Sequence, residues 1–144
     1  HLPIWRSVET RTDGGDIGMD AMRAIRVLVV DDEEVVRESL RRLFANVERV
    51  EIADSGTEAL AVFAPGRFDV ALIDLAMPGM PGDRLAHELR RLDPHIGLVL
   101  MSGLEVPEGD RRRERFDVFL QKPCAVGQIF AGLARAKEAH SGRG

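Results

Sequence analysis

The sequence predicts an α/β sandwich, a parallel β-sheet with helices on both faces. Two observations predict it. Strand-like and helix-like segments alternate five times between Ile25 and Ala139. The strand-like segments are also near-continuous runs of Val, Leu and Ile rather than polar–apolar alternations. Strands apolar on both sides belong to sheets covered on both faces, and alternation with helices makes such sheets parallel.

Each element follows from its local pattern. "IRVLVV", Ile25 to Val30, reads as the first strand, and Val36, Leu40, Leu43 and Phe44 then recur at helical spacing. "RVEIA", Arg49 to Ala53, is a second short strand. A helix follows near Thr57 to Phe63, with Ser55 and Thr57 as alternative caps. "FDVALIDL", Phe68 to Leu75, is the third strand, and Leu85, Leu89 and Leu92 mark a helix that Pro94 closes. "IGLVLM", Ile96 to Met101, and "DVFLQ", Asp117 to Gln121, complete the strands. Val126, Ile129, Phe130 and Leu133 form a last amphipathic helix. The weak segment is "VPEGDRRRER", Val106 to Arg115, where a fourth helix belongs but no apolar stripe exists. A short, distorted or mobile helix is expected there.

The 144 residues suffice for one domain with a proper core. A net charge of −4 and the absence of an uninterrupted basic block argue against nucleic acid as a partner; "RRRERF", Arg111 to Phe116, reads as a solvated face. No apolar run reaches membrane-span length, so no membrane contact is expected. The one cysteine, Cys124, rules out an intramolecular disulfide framework and fits a reducing cytoplasm. Residues 1–24 carry a loose Gly- and Asp-rich stretch, "TRTDGGDIG", and read as a flexible linker. The domain itself is placed at 25–139 and a C-terminal tail at 140–144. The chain opens on His1 rather than Met, which fits a segment of a longer protein.

In an open parallel sheet the ligand site lies beyond the carboxyl ends of the strands. This chain places Asp31 and Asp32 after the first strand, Asp74 near the end of the third, Ser102 after the fourth and Lys122 after the fifth. Three neighbouring carboxylates repel one another and call for a hard divalent cation, Mg²⁺ by its taste for a few carboxylates plus phosphate oxygen. One lysine cannot neutralise three acids, but it can hold an incoming anionic phosphoryl group, to which the Ser102 hydroxyl could also donate. The chemistry this set supports is phosphoryl transfer onto a carboxylate, which needs in-line positioning and charge neutralisation but no separate base. Asp74, alone on the middle strand and followed by the sharp "MPGMPG" loop, is the natural nucleophile.

The motifs "VVDDE", "DLAMPGMPG", "LMSG" and "FLQKP", in that order and each at a strand end, resemble the receiver domain of two-component response regulators. The resemblance runs from about Ile25 to Ala139. It implies a flavodoxin-like sheet of strand order 2-1-3-4-5. It also implies that Asp74 accepts a phosphoryl group from a phosphohistidine on a histidine kinase or a histidine phosphotransfer domain. Asp32 would bind Mg²⁺ directly, Asp31 through water, and the backbone carbonyl of Ala76 would complete the protein's share of the shell. Lys122 would contact the phosphoryl group, with a cis bond to Pro123. Ser102 would swing toward a phosphoryl oxygen while Phe119 rotates inward behind it. The result is a phosphoacceptor signalling domain rather than an enzyme, with homodimerisation expected around the fourth helix and fifth strand.

Three features depart from the family's pattern. Cys124 stands where Phe is common, the fourth helix is anomalous, and Ala76 and Leu104 are apolar where polar neighbours often place the hydrolytic water. A slow loss of the phosphoryl group is the expectation. The opening "HLPIW" resembles the end of a histidine-kinase ATP-binding domain, which makes a hybrid sensor histidine kinase the preferred parent. A stand-alone regulator and a pseudo-receiver that is never phosphorylated are the alternatives. A phosphatase of the haloacid dehalogenase type would carry a second Asp two residues after its nucleophile; here Glu33, Glu34 and Ala76 occupy those places.

Blander roles are assigned elsewhere. Glu33 and Glu34 suit a helix start, where negative charge is favourable. Met77, Met80 and Met101 read as packing, Cys124 as a small apolar filler, and Gly79 and Gly82 as loop geometry. The four histidines show no metal-ligand spacing.

Overall fold

The structure is a computed structural model that describes residues 23–141. The linker expected at 1–24 lies almost wholly outside the described residues, as does most of the tail.

Five strands form one fully parallel sheet: β1 (Arg26–Val30), β2 (Arg49–Ala53), β3 (Val70–Ile73), β4 (Gly97–Ser102) and β5 (Val118–Gln121). Their order is β2-β1-β3-β4-β5, as the resemblance implied. The helices between and after them are α1 (Glu34–Leu43), α2 (Gly56–Val62), α3 (Gly82–Leu92) and α4 (Val126–Ser141). The register pairs Val30 with Ala53 on one side and with Ile73 on the other, so β1, β2 and β3 end level with one another.

Alternate strand residues feed two cores. Val27, Val29, Leu72, Val99 and Met101 meet Leu40 of α1, Phe44 just past its end, and Ile129 and Leu133 of α4. On the opposite face Leu28, Val30, Ala71, Ile73 and Leu98 meet Ala59 of α2 and Leu85 and Leu89 of α3. Burying a side chain of this size contributes about 1.5–3 kcal/mol against leaving it in water. This two-sided burial is why the strands lack polar alternation. Cys124 fills space in the first core and Met77 in the second, as their sequence contexts implied.

The capping of α2 is resolved in favour of Ser55, whose hydroxyl accepts from the Glu58 amide at 3.1 Å. Thr57 lies inside the helix. The Glu58 carboxylate in turn accepts from the Asp54 amide at 2.6 Å, so the entrance is tied from both sides. The third strand is shorter than its apolar run: Phe68 and Leu75 are buried but lie outside the ladder.

Between β4 and β5 no α-helix forms. Arg111–Arg115 make a 3₁₀ helix with no buried residue, capped by Asp110, which accepts from the Arg112 amide at 2.9 Å. Two arginines tie this segment down, Arg115 by a bond to His87 of α3 and Arg113 by inward contacts. Arg113 donates to the Val106 carbonyl at 2.5 Å, and its guanidinium lies over the Phe119 ring at 4.4 Å from the centroid. Beneath it, Val106, Leu75 and Leu100 form a third small apolar cluster that Phe116 and Phe119 flank.

Candidate functional site

The chain leaves β1 and turns to one side for β2, then returns on the other side for β3, so the gap between β1 and β3 is the sheet's topological switch point. The ladder holds both site strands one residue further: the Asp31 amide donates to the Ala53 carbonyl at 3.1 Å and the Asp74 amide to the Val30 carbonyl at 2.9 Å. Asp31 and Asp74 therefore start from rigid backbone at the crevice. On the far side the Lys122 amide donates to the Ser102 carbonyl at 2.8 Å, bringing the ends of β4 and β5 to the same rim.

The structure brings the three predicted acids together. Carboxylate oxygens of Asp31, Asp32 and Asp74 lie within 4.8 Å of one another. Asp31 and Asp74 are buried, and Asp32 faces solvent. Lys122 enters from the β5 side of that rim with Nζ 3.0 Å from Asp31 Oδ2 and 3.7 Å from Asp74 Oδ1. The other Asp31 oxygen accepts from the Glu33 amide at 2.9 Å.

The electrostatics show a shortage of positive charge. Burial, reinforced by the charge of Asp31, pushes the Asp74 carboxyl up to about 7 even though Lys122 opposes the shift. Burial raises Asp31 as well, again against the pull of Lys122. The lysine is itself held above its ordinary value: burial works against its charge, but Asp31 and then Asp74 outweigh that cost. Two acids reluctant to ionise beside a third, with one cation between them, form a set of hard oxygen donors suited to a divalent cation such as Mg²⁺. No other group of three acid, histidine or cysteine donors is assembled among the described residues.

The "MPGMPG" loop owes its course to two glycines. Gly79 takes φ of +80°, open to glycine at no steric cost. Gly82 begins α3 hard against the strand: its amide donates to the Leu75 carbonyl at 2.9 Å, and a Cβ there would collide with the Asp74 carbonyl. Both act on backbone geometry, as read from sequence.

The remaining predicted residues take these places. Ser102 is buried, and its hydroxyl accepts from the Leu104 amide at 3.0 Å, a turn contact at the end of β4. Phe119 is half-buried beneath Arg113. The Lys122–Pro123 bond is cis. Ala76 is exposed just beyond Asp74, and Leu104 is an exposed apolar residue.

Two neighbours of the site went unread in the sequence. Glu33 is the N-cap of α1, as its helix-start reading implied, but its carboxylate also lies 3.6 Å from Lys122 Nζ. Arg37 donates from Nη1 to the Asp31 carbonyl at 2.9 Å. The signal that could have found it is a basic residue in the first turn of the helix that follows the acidic strand end.

Fold and rim together define a doubly wound α/β domain with a cluster of three carboxylates and a lysine at its switch point. The chain belongs to the response regulator receiver domain family, whose model matches residues 27–134. Receiver domains of this family act as phosphoacceptors in two-component signalling. A response regulator receiver protein from Anaeromyxobacter sp. (strain Fw109-5) is 38% identical over 107 residues, covering 72% of this chain and 45% of that protein. Response regulator MprA from Mycobacterium sp. (strain KMS) is 35% identical over 117 residues, covering 76% of this chain and 49% of the relative. The chain thus spans about half the length of the curated relatives it matches. Among solved structures, response regulator TrrA of Thermotoga maritima in complex with Mg²⁺-BeF superposes with a TM-score of 0.70. It shares 26% identity, and the match covers 78% of this chain and 98% of that one. Chemotaxis protein CheY4 of Vibrio cholerae matches with a TM-score of 0.70 and 27% identity over the same shares of the two chains.

Proposed function

We propose that this domain takes a phosphoryl group from a phosphohistidine onto Asp74, with Mg²⁺ held by Asp32 and Asp74 directly, by Asp31 through water and by the Ala76 carbonyl. The observation that carries the reading is the buried Asp74 carboxylate at the switch point, within 4.8 Å of both partner acids and 3.7 Å from the Lys122 ammonium. When bound, Mg²⁺ supplies charge neutralisation for the acids and for the phosphoryl oxygens.

In the transfer, an Asp74 carboxylate oxygen attacks phosphorus while the phosphorus–nitrogen bond to the imidazole breaks and its electron pair returns to nitrogen. Lys122 sits where it can exchange Asp31 for a phosphoryl oxygen, and the Ser102 hydroxyl can turn its proton to another. Phe119 then rotates into the space behind Ser102, changing the surface around β5 that meets partners or a second copy. Arg113, bonded to Val106 and stacked on Phe119, links that rotation to the 3₁₀ segment.

The domain assignment stays at 25–139. A hybrid sensor histidine kinase in the cytoplasm is the parent we favour, on the strength of His1 to Trp5, with a stand-alone regulator as the alternative; reading the sequence upstream of His1 decides between them. Intact mass after incubation with acetyl phosphate tests the chemistry. One added phosphoryl group is expected with Mg²⁺, with none in EDTA and none in Asp74→Asn. No gain under conditions that load a control receiver points instead to a pseudo-receiver.

A further inference from the structure

We infer that Arg37 is the positioning residue for Asp32, acting through the peptide bond that joins Asp31 to it. The inference rests on the reading of Asp32 as a direct Mg²⁺ ligand and concerns what holds that ligand in place.

The Asp31 carbonyl, which accepts from Arg37 Nη1 at 2.9 Å, and the Asp32 amide are two ends of one planar unit. Fixing the carbonyl oxygen fixes the plane, and with it the direction in which the Asp32 Cα and side chain leave the strand. Asp31 itself does not need this anchor. Its amide is in the ladder, one carboxylate oxygen accepts from the Glu33 amide, and the other meets Lys122.

Asp32 has no such support. Among the described residues neither its amide nor its carboxylate makes a hydrogen bond or ion pair. Its orientation therefore rests on the backbone, and the fixed point next to it is the carbonyl that Arg37 grips. The grip comes from a rigid element. The Arg37 amide opens α1 by donating to the Glu33 carbonyl at 3.1 Å, and Val36 and Leu40 bury that helix in the first core. Groups that fix the orientation of a metal ligand tune metal affinity, and Arg37 would do so through the backbone rather than by touching the ligand.

The charge on Arg37 makes the inference decisive to test. A cation beside a cation site opposes Mg²⁺ by simple repulsion, so removing the charge alone would tighten binding. Removing an anchor would loosen it. The two readings differ in sign.

Mg²⁺ affinity of the chain, followed by NMR chemical-shift titration with Mg²⁺ alone, separates them. Arg37→Met is expected to weaken Mg²⁺ binding about 10-fold. Arg37→Lys keeps the charge and a donor but loses the fork, and should fall between it and wild type. In the Asp32→Asn background both effects should vanish. Unchanged or tighter binding by Arg37→Met overturns the inference, and so does an undiminished loss in the Asp32→Asn background. If Arg37→Met fails to fold in EDTA, Arg37→Lys decides by the same rule, unchanged affinity counting against it. A wild-type chain that binds no Mg²⁺ defeats the ligand reading and this inference with it. Wild-type binding with unaltered variants defeats this inference alone.

Discussion

Replacing Asp74 by Asn should stabilise the metal-free domain, and only above acidic pH. The carboxyl is 8% exposed and its pKa rises from 3.8 to about 7 on folding. The folded state therefore disfavours its charged form. Below pH 3.8 both states are protonated and no cost arises. The cost grows as pH climbs from 3.8 to about 7 and is constant beyond. About three pKa units at 1.36 kcal/mol each set a ceiling of about 4 kcal/mol. The wild-type cluster softens this cost by sharing protonation among its coupled acids, and water at the rim screens the rest, so a measured gain of about 2–3 kcal/mol is expected. Asn keeps the shape and adds a donor toward Asp31 and Asp32. Urea unfolding in EDTA at pH 4, 6 and 8, with wild type beside Asp74→Asn, gives the comparison. Adding Mg²⁺ at pH 8 should narrow the gap, because the cation stabilises the ionised wild type by mass action. A gain that is absent at pH 8, or equally large at pH 4, refutes the reasoning.

Gly82→Ala should cost about 3 kcal/mol in urea unfolding, since its Cβ meets the Asp74 carbonyl and the start of α3 must shift. A loss below about 0.5 kcal/mol, the scale of ordinary surface changes, would show that the loop yields freely. Asp69 is pulled below the usual carboxylate range: burial works the other way, but hydrogen bonds from the Arg26 side chain and amide prevail. Its stabilisation is present above the unfolded pKa and is lost as pH falls through the folded one. Asp69→Asn should then be destabilising at pH 7 by about 2 kcal/mol, with the loss shrinking as pH is taken down below 3.8. Ala76 and Leu104 are apolar at positions that the family resemblance puts around the phosphoryl site, so phosphorylated protein freed of donor should lose its phosphoryl group slowly. Ala76→Asn or Leu104→Glu is expected to shorten the lifetime followed by intact mass, and unchanged decay in both would count against any control by these positions.

The strands were legible because burial on both faces leaves unbroken apolar runs such as "VLVV" and "LVLM". The site acids were legible for a related reason. A parallel sheet delivers the C-terminal ends of β1 and β3 to one place, so Asp31, Asp32 and Asp74 had to meet. The limits lie where a side chain's reach, rather than its position in the pattern, decides. Lys122 sits nearer Asp31 than Asp74, and Glu33 both caps a helix and faces that lysine. Arg37 reaches six residues back to a carbonyl. Sequence spacing carries none of these distances. Phe68 and Leu75 extend the apolar run of β3 beyond its ladder because burial and strand pairing are separate demands.

Holding the β4–β5 connection through so few contacts has a consequence for how the domain breathes. An α-helix there would protect its amides collectively, each turn reinforcing the next. The 3₁₀ helix has no buried residue, and its capping Asp110 pairs with Arg112 at the surface. The connection's inward contacts are few: the Val106 side chain and Arg113, with Arg115 meeting His87 of α3 at the surface. Local opening of residues 106–115 therefore costs far less than global unfolding, and amide hydrogens there should exchange with solvent long before those of the flanking strands. Arg113→Ala should speed that exchange further while leaving β1 and β3 as protected as before.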